Sequence, residues 1–176
     1  MKQRPLGFTL LDLLTGLAIL SILIGAAIPG LNTFVANNKA NAAYQQLFTL
    51  LQYARSESVF YRQQVVICPT INDQDCDKDW KNELILFVDE NRNKKYDDSD
   101  ILLQRYEETE NNSQRIVTAF GSTRYLSFNY DGSSGSQNGR LTYCLASGKQ
   151  TYARQMIISK TGRIRKTSEQ DALKKC

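Results

Sequence analysis

The residues best suited to binding chemistry lie near the C-terminus, in the string SKTGRIRKT from Ser159 to Thr167. Thr161 and Gly162 suggest a turn, after which Arg163 and Arg165 stand two residues apart. On an extended strand they point to one face, with Ile164 on the other. Two guanidinium forks side by side suit phosphate oxygens, since each fork contacts two oxygens at once. The pattern predicts binding of a polyanion such as DNA.

Other residues extend this candidate site. Lys160 and Lys166 flank the arginine pair, Arg154 and Arg140 are expected nearby, and Tyr143 and Tyr152 are candidates for base stacking. Two plainer interpretations remain open. The segment is either a solvated basic edge strand that discourages aggregation, or a face that docks on an acidic part of a neighbouring subunit.

The charge distribution supports a basic functional tail. The chain of 176 residues has a net charge of +4, but residues 140–176 hold nine basic and two acidic residues, a net +7. Residues 70–112 hold thirteen acidic and six basic residues, a net −7. There is no histidine, which removes the commonest general base, and no nucleophile–base pair or phosphate-cradling loop stands out. We therefore expect a binding or structural protein without a cofactor, not an enzyme.

Four cysteines at wide spacing, none in a CxxC pair, predict two disulfides in an exported chain. Three pairings are possible. We predict Cys68–Cys76, which closes a short loop, and Cys144–Cys176, which tethers the last residue.

Residues 89–100, DENRNKKYDDSD, partly match a calcium-binding loop. Asp89, Asn91 and Asn93 take the first three ligand positions and Asp100 the twelfth. Position six is Lys94 instead of glycine, and the last ligand is Asp instead of Glu, which weakens the match. We favour a connection in which Asn and Asp serve as turn formers.

The N-terminal segment from Phe8 to Ile28 is long enough to span a bilayer and carries one charge, Asp12. Lys2 and Arg4 precede it, which keeps the N-terminus cytoplasmic. A cleavable signal peptide ending near GAA at 25–27 is the alternative, but it leaves Asp12 unexplained.

The string GFTLLD from Gly7 to Asp12 resembles the prepilin motif of type IV pilins and type II secretion pseudopilins, with Asp12 in place of the usual Glu. The resemblance implies cleavage after Gly7 by prepilin peptidase, N-methylation of Phe8, and retention of the apolar helix. It also implies that Asp12 meets the Phe8 amine of a neighbouring subunit during assembly. Asp12 lies one helical turn from Phe8, so pairing within the chain is also possible.

The elements that position these residues follow from periodicity. A helix is expected from Phe8 to Tyr61, kinked at Pro29 and Gly30. Its second half carries an apolar stripe, and β-branched or apolar runs then predict strands. The stripe consists of Tyr44, Leu47, Phe48, Leu51 and Ala54; the strands are expected at 63–69, 83–88, 100–106, 124–130, 140–146 and 153–159.

The predicted fold class is therefore α+β: a long N-terminal helix, transmembrane and then amphipathic, packed on an antiparallel sheet domain as in type IV pilins. Four regions are expected. They are a leader peptide (1–7), the transmembrane or filament-core half of the helix (8–30), its amphipathic half (31–62) and a periplasmic sheet domain with a basic tail (63–176).

The segments ICP…C…W, FVDENRN, YDDSD and ILLQRY resemble the GspH/FimT branch of pseudopilins and minor pilins. GRIR resembles the C-terminal GRxR motif of FimT-like minor pilins, which bind DNA for uptake in natural transformation. The resemblance implies an inner-membrane protein with a periplasmic domain, incorporated in or at the tip of a pilus. Its partners would be other pilins, prepilin peptidase and DNA. The alternative is a purely structural minor pilin or a type II secretion pseudopilin.

Overall fold

The computed structural model describes residues 10–107, 112–119, 121–147 and 150–176. The chain divides into two compact units, one up to Asn38 and one from Lys39 to Cys176. Helix α1, Leu10–Tyr61, contributes to both. The expectations for Gly7 and Phe8 lie outside the described residues.

The first unit consists of the N-terminal part of α1. Apolar side chains are exposed around its circumference, among them Leu10, Leu14, Leu17 and Leu20. A helix that is apolar all round is typical of a membrane span or a protein core. This helix is long and apolar enough to cross a membrane by length and composition. Helix α1 is continuous through residues 29 and 30. Proline removes one helical hydrogen bond at this point, and the kink expected there stays a prediction.

The second unit begins with the C-terminal part of α1, whose buried face follows the predicted stripe. Tyr44, Leu47, Leu51 and Ala54 are buried and Phe48 is half-buried. Burying each large apolar side chain contributes about 1.5–3 kcal/mol. This stripe therefore fixes the helix on the rest of the unit, and truncation of Leu47 to Ala is expected to cost about 2–5 kcal/mol.

Within the described residues, eight strands form two antiparallel sheets, where a single antiparallel sheet was expected. The first sheet has the order β3-β2-β1-β5 and the second the order β4-β6-β7-β8. The strands of the first sheet are β1 (Gln64–Pro69), β2 (Leu84–Asp89), β3 (Ile101–Tyr106) and β5 (Leu126–Phe128); those of the second are β4 (Ser113–Ala119), β6 (Gly139–Ser147), β7 (Gln150–Ile158) and β8 (Ile164–Lys166).

A short helix α2, Glu169–Leu173, follows β8 and packs on β7. Ser168 caps its N-terminus by accepting a hydrogen bond from the Asp171 N–H, and the buried Ala172 faces the sheet. The disulfide Cys144–Cys176 joins the end of the chain to β6, and Cys68–Cys76 closes the loop after β1. Both bridges are as predicted. The second holds the segment that carries β8 and α2 against the sheet.

Candidate nucleic-acid interface

The predicted turn before β8 is present and is closed by three hydrogen bonds. The Gly162 N–H donates to the Ser159 carbonyl (2.8 Å), and the Ser159 N–H donates to the Arg163 carbonyl (3.0 Å). The Arg163 N–H donates to the Ser159 hydroxyl (3.1 Å). These bonds reverse the chain after β7 and fix the direction in which Arg163 enters β8.

Gly162 occupies a position that no other residue fits. Its φ is +75°, a left-handed conformation that favours glycine. A Cβ atom here would lie 1.8 Å from the Gly132 carbonyl oxygen and 3.1 Å from Arg55 Nε. The glycine of the GRIR string is therefore structural, because it lets the turn pack directly on the loop at residue 132.

Arg55, on α1, connects this turn to the neighbouring loop. Its Nε donates to the Gly132 carbonyl (3.0 Å) and its Nη2 to the Thr161 carbonyl (3.4 Å). The N–H groups of Ser134 and Gly135 both donate to the Lys160 carbonyl (3.1 and 3.2 Å). The turn is thus held on two sides. Sequence reasoning missed Arg55, since its position on the polar face of the helix gave no signal of a partner.

The exposure of residues 163–165 alternates, which supports the prediction that the two arginines share a face. Ile164 is buried while Arg163 and Arg165 are exposed, and β8 is an edge strand of the second sheet. Neither guanidinium pairs with any residue that the structure describes. Residues two apart on a strand are about 6–7 Å apart. The arrangement presents two unpaired forks to solvent on a rigid backbone.

A third arginine joins this face through the strand register. Arg140 on β6 is paired with Ile157 on β7, and Ile157 is paired with Arg165 on β8. Directly paired residues of neighbouring strands project to the same side of the sheet. Arg140 is exposed and lies two strands, or about 10 Å, from Arg165. We call Arg140, Arg163 and Arg165 the basic edge.

One carboxylate lies close to the basic edge. The Ser168 hydroxyl, the Lys174 ammonium and the charge of Arg140 together hold the pKa of Asp171 below its usual range. Asp171 already accepts hydrogen bonds from Ser168 (2.8 Å) and Lys174 (3.5 Å). It therefore screens Arg140 partially and leaves Arg163 and Arg165 without a counter-charge among the described residues.

The two predicted lysines differ in their placement. The side chain of Lys160 is exposed beside the turn. Lys166 is on the opposite face of β8 from the arginines, and its ammonium lies 5.3 Å from the centroid of the Tyr44 ring, a cation–π contact. Lys160 can add its charge to the basic edge, whereas Lys166 packs on α1.

Arg154 does not belong to the exposed surface, so the prediction that it binds DNA is wrong. Only 6% of Arg154 is exposed. Its Nε donates to Asn41 Oδ1 (2.7 Å) and its Nη1 to the Ala153 carbonyl (2.7 Å) and to Glu169 Oε1. The residue ties β7 to α1 and to the start of α2. A guanidinium on a buried face of a sheet needs such hydrogen-bond partners. The sequence alone did not show that Arg154 lies on a buried face.

The two tyrosines expected to stack on bases are also buried. Tyr143 and Tyr152 lie on the face of the second sheet that packs in the core. An exposed aromatic side chain, Tyr130, lies in the loop that contains Gly132. The sequence placed it at the end of a strand, which hid its exposure.

The 89–100 segment has the internal hydrogen bonding of a turn. Asp89 accepts the N–H groups of Asn93 and Lys94 (both 3.0 Å), and burial raises its pKa. Asp97 accepts hydrogen bonds from Ser99, Asn91 and Asn93, which hold its pKa far below the usual range. Within the described ranges no group of three carboxylate, thiol or imidazole residues could hold a metal ion. The hydrogen bonds of Asp89 and Asp97 support the interpretation of this segment as a turn.

Asp12, the predicted assembly residue, lies in the first turn of α1 as described. Its predicted partner, the amine of Phe8, lies outside the described residues. The role of Asp12 in assembly stays a prediction.

Comparisons with known proteins agree on a family and a fold. A family model described as type II transport protein GspH matches residues 43–162. The crystal structure of the type IV minor pilin FimU from Pseudomonas aeruginosa (strain PAO1) is similar to this chain, with 22% sequence identity and a TM-score of 0.53. The match covers 78% of this chain and 94% of that one.

A second crystal form of FimU gives 21% identity and a TM-score of 0.50, covering 74% of this chain and 94% of that chain. At this identity the likeness concerns the type IV pilin fold, a long N-terminal helix with antiparallel sheets. No curated protein sequence matches the chain. The GspH match ends at Gly162, so Arg163 and Arg165 lie just beyond it.

Proposed function

Because the GspH model matches more than half of its residues, the chain belongs to that family of type IV minor pilins and pseudopilins, and we propose that it is a minor pilin that captures DNA through the basic edge. The supporting observation is the placement of Arg163 and Arg165. Both are exposed and unpaired among the described residues; Arg165 lies on the edge strand β8 and Arg163 directly precedes it.

The proposed contacts are to phosphates. Each guanidinium of the basic edge donates two hydrogen bonds to phosphate oxygens and displaces condensed counterions. Lys160 adds a point charge from the turn. No base edge is read by such contacts, so binding is tolerant of sequence and strongly dependent on salt. Within this proposal the protein performs no covalent chemistry, and its role in natural transformation is to hold DNA for uptake.

A salt titration tests the proposal. With four phosphate contacts, the slope of log affinity against log salt for duplex DNA is expected near −3.6, at about 0.9 per contact. The full chain in detergent micelles is titrated alone and as Arg163→Gln with Arg165→Gln. The double variant should lose nearly all binding at moderate salt and about two units of slope. Its thermal unfolding should be unchanged, because exposed arginines contribute little to stability.

The matched control removes the same charge elsewhere. Lys78→Gln with Lys81→Gln changes two exposed lysines in the loop after β1. This variant should keep nearly all of the affinity. Absence of wild-type binding at low salt, or equal binding by the arginine variant, would overturn the proposal. Equal losses in both double variants would show that net charge, and not the basic edge, governs binding.

The alternative is a purely structural subunit, either an initiator of the minor-pilin complex or a type II secretion pseudopilin. Its supporting observation is that the family match ends before the arginines. In that case the basic edge would dock on an acidic surface of a neighbouring pilin. The salt titration separates the two functions. Only DNA capture predicts an affinity for DNA that falls with salt and that the lysine control variant retains.

The processing of the N-terminus belongs to the same proposal. The chain is anchored in the inner membrane by α1, with the unit from Lys39 onward in the periplasm. Prepilin peptidase cleaves after Gly7 and Phe8 is methylated. The intact mass of the native protein should match a chain that starts at Phe8 and carries one methyl group. A chain starting near residue 28 would instead indicate a cleaved signal peptide.

A further inference from the structure

A small cleft is lined in part by the loop that packs against the turn at Gly162. It has a volume of about 180 Å³ and is lined by Gln64, Arg92, Lys94, Asn129 and Tyr130. Sites for drug-sized ligands have volumes of roughly 300–1,000 Å³, so this cleft suits a single ring or one phosphate. We call it the Tyr130 cleft.

The lining of the Tyr130 cleft has the groups that a nucleotide requires. Tyr130 is 60% exposed and offers a ring face. Arg92 is exposed, and its guanidinium has no partner among the described residues. The amide of Gln64 bonds to the amide of Asn129 (3.3 Å), which fixes one wall. A cation beside an exposed aromatic ring and amides is the combination used to bind unpaired bases.

The cation side of the cleft is held in place by a buried carboxylate. Asp89 accepts the backbone N–H groups of Asn93 and Lys94 (both 3.0 Å), and the Lys94 ammonium donates to the Arg92 carbonyl (3.1 Å). The acidic neighbour of Tyr130, Asp131, has its carboxylate turned to the Ser133 N–H (2.9 Å). Asp89 and Asp131 therefore both accept hydrogen bonds from backbone N–H groups, whereas Glu90, two residues from Arg92, is exposed.

The cleft is rigidly joined to the basic edge. The Gly132 N–H donates to the Asn129 carbonyl (2.8 Å), which closes the turn that carries Tyr130. The Gly132 carbonyl in turn packs against Gly162, the residue before Arg163. Chain lengths and this contact limit the Cα separation of Tyr130 and Arg163 to about 17 Å. One DNA strand of a few nucleotides covers that distance.

We propose that the Tyr130 cleft holds one unpaired base of a DNA strand bound at the basic edge, with Tyr130 stacked on the base and Arg92 on its phosphate, so that the protein prefers single-stranded to duplex DNA. The inference rests on the proposed DNA binding. A duplex hides its base faces in the helical stack and can use only the phosphate contacts. A single strand can use the phosphates and the ring.

The test compares two DNA probes with the full chain in detergent micelles. One probe is oligo-dT, and the other is a covalently closed duplex without exposed terminal bases. Stacking of one base is worth about a 5- to 150-fold change in affinity. Tyr130→Ala should therefore weaken oligo-dT binding at least about fivefold and leave duplex binding unchanged, while Tyr130→Phe retains both. Arg92→Gln should lower the oligo-dT salt slope by about 0.7.

The control variant is Tyr53→Ala, which removes an exposed tyrosine from a different cleft between α1 and β3. It should affect neither probe. If the wild-type chain binds neither DNA at low salt, the proposed function fails. If it binds both and Tyr130→Ala weakens neither or both equally, DNA capture stands and the base-binding role of the Tyr130 cleft is wrong.

Discussion

The substitution Gly162→Ala tests whether the turn before β8 packs directly on the loop at Gly132. The added Cβ would lie 1.8 Å from the Gly132 carbonyl oxygen, which belongs to backbone and not to a flexible side chain. The loop and the turn must therefore separate. That movement breaks the bond from Arg55 Nε to the Gly132 carbonyl.

Three costs combine in this variant. An alanine in the left-handed conformation costs about 1–2 kcal/mol, a lost hydrogen bond from a charged donor costs about 1.5–3 kcal/mol, and the overpacking adds about 1–3 kcal/mol. The contributions share one movement and are not fully additive. We expect a loss of about 3–5 kcal/mol in the free energy of unfolding, which corresponds to a fall in Tm of about 6–20 °C.

The matched control is Gly135→Ala. Gly135 also has a positive φ, +53°, but its Cβ would meet only the end of the Asn129 side chain at 3.0 Å. This control should cost only the strain of the backbone, about 1–2 kcal/mol. The assay is thermal and urea unfolding of both variants, with DNA affinity measured below the transition. If Gly162→Ala destabilises the protein no more than Gly135→Ala, the close packing of the turn on residue 132 is wrong.

Two further predictions concern residues outside the basic edge. Arg154→Gln should lower the free energy of unfolding by about 2–3 kcal/mol, because it removes buried hydrogen bonds from a charged donor. The salt slope of DNA binding should stay unchanged. A lower slope in a folded variant would show that Arg154 contacts DNA. Hydrogen bonds, first from Ser99, hold the pKa of the Asp97 carboxylate below its usual range. Its contribution to stability is therefore complete above the unfolded-state pKa near 4 and is lost as the pH falls below that value. In urea unfolding between pH 5 and pH 2, Asp97→Asn should lose less stability than the wild type, and equal losses would contradict this.

Much of the fold could be predicted because it depends on local pattern. The helical stripe at Tyr44, Leu47 and Leu51 and six of the strands follow from apolar periodicity. Strand β4 was missed because its sequence, SQRIVTA, alternates polar and apolar residues only weakly and buries an arginine, Arg115. That guanidinium donates to the carbonyls of Trp80, Lys81 and Asn82, partners that are more than thirty residues away.

The candidate site was predictable only where it depends on spacing within one strand. The alternation of Arg163, Ile164 and Arg165 about the sheet follows from the period of two. Which other residues join them depends on pairings between distant segments. Register brings Arg140 to the same face and burial removes Arg154 from it. The sequence does not show which strands pair, so it cannot distinguish Arg140 from Arg154.

The most direct test of DNA capture is a paired measurement in the bacterium that carries this gene. The strain producing Arg163→Gln with Arg165→Gln should assemble pili at the wild-type level, because no assembly contact is assigned to the basic edge, and should lose DNA uptake in transformation assays. A strain with Lys78→Gln and Lys81→Gln should retain both. Normal uptake in the arginine strain would contradict DNA capture, and loss of pili in that strain would show that the arginines act in filament assembly instead.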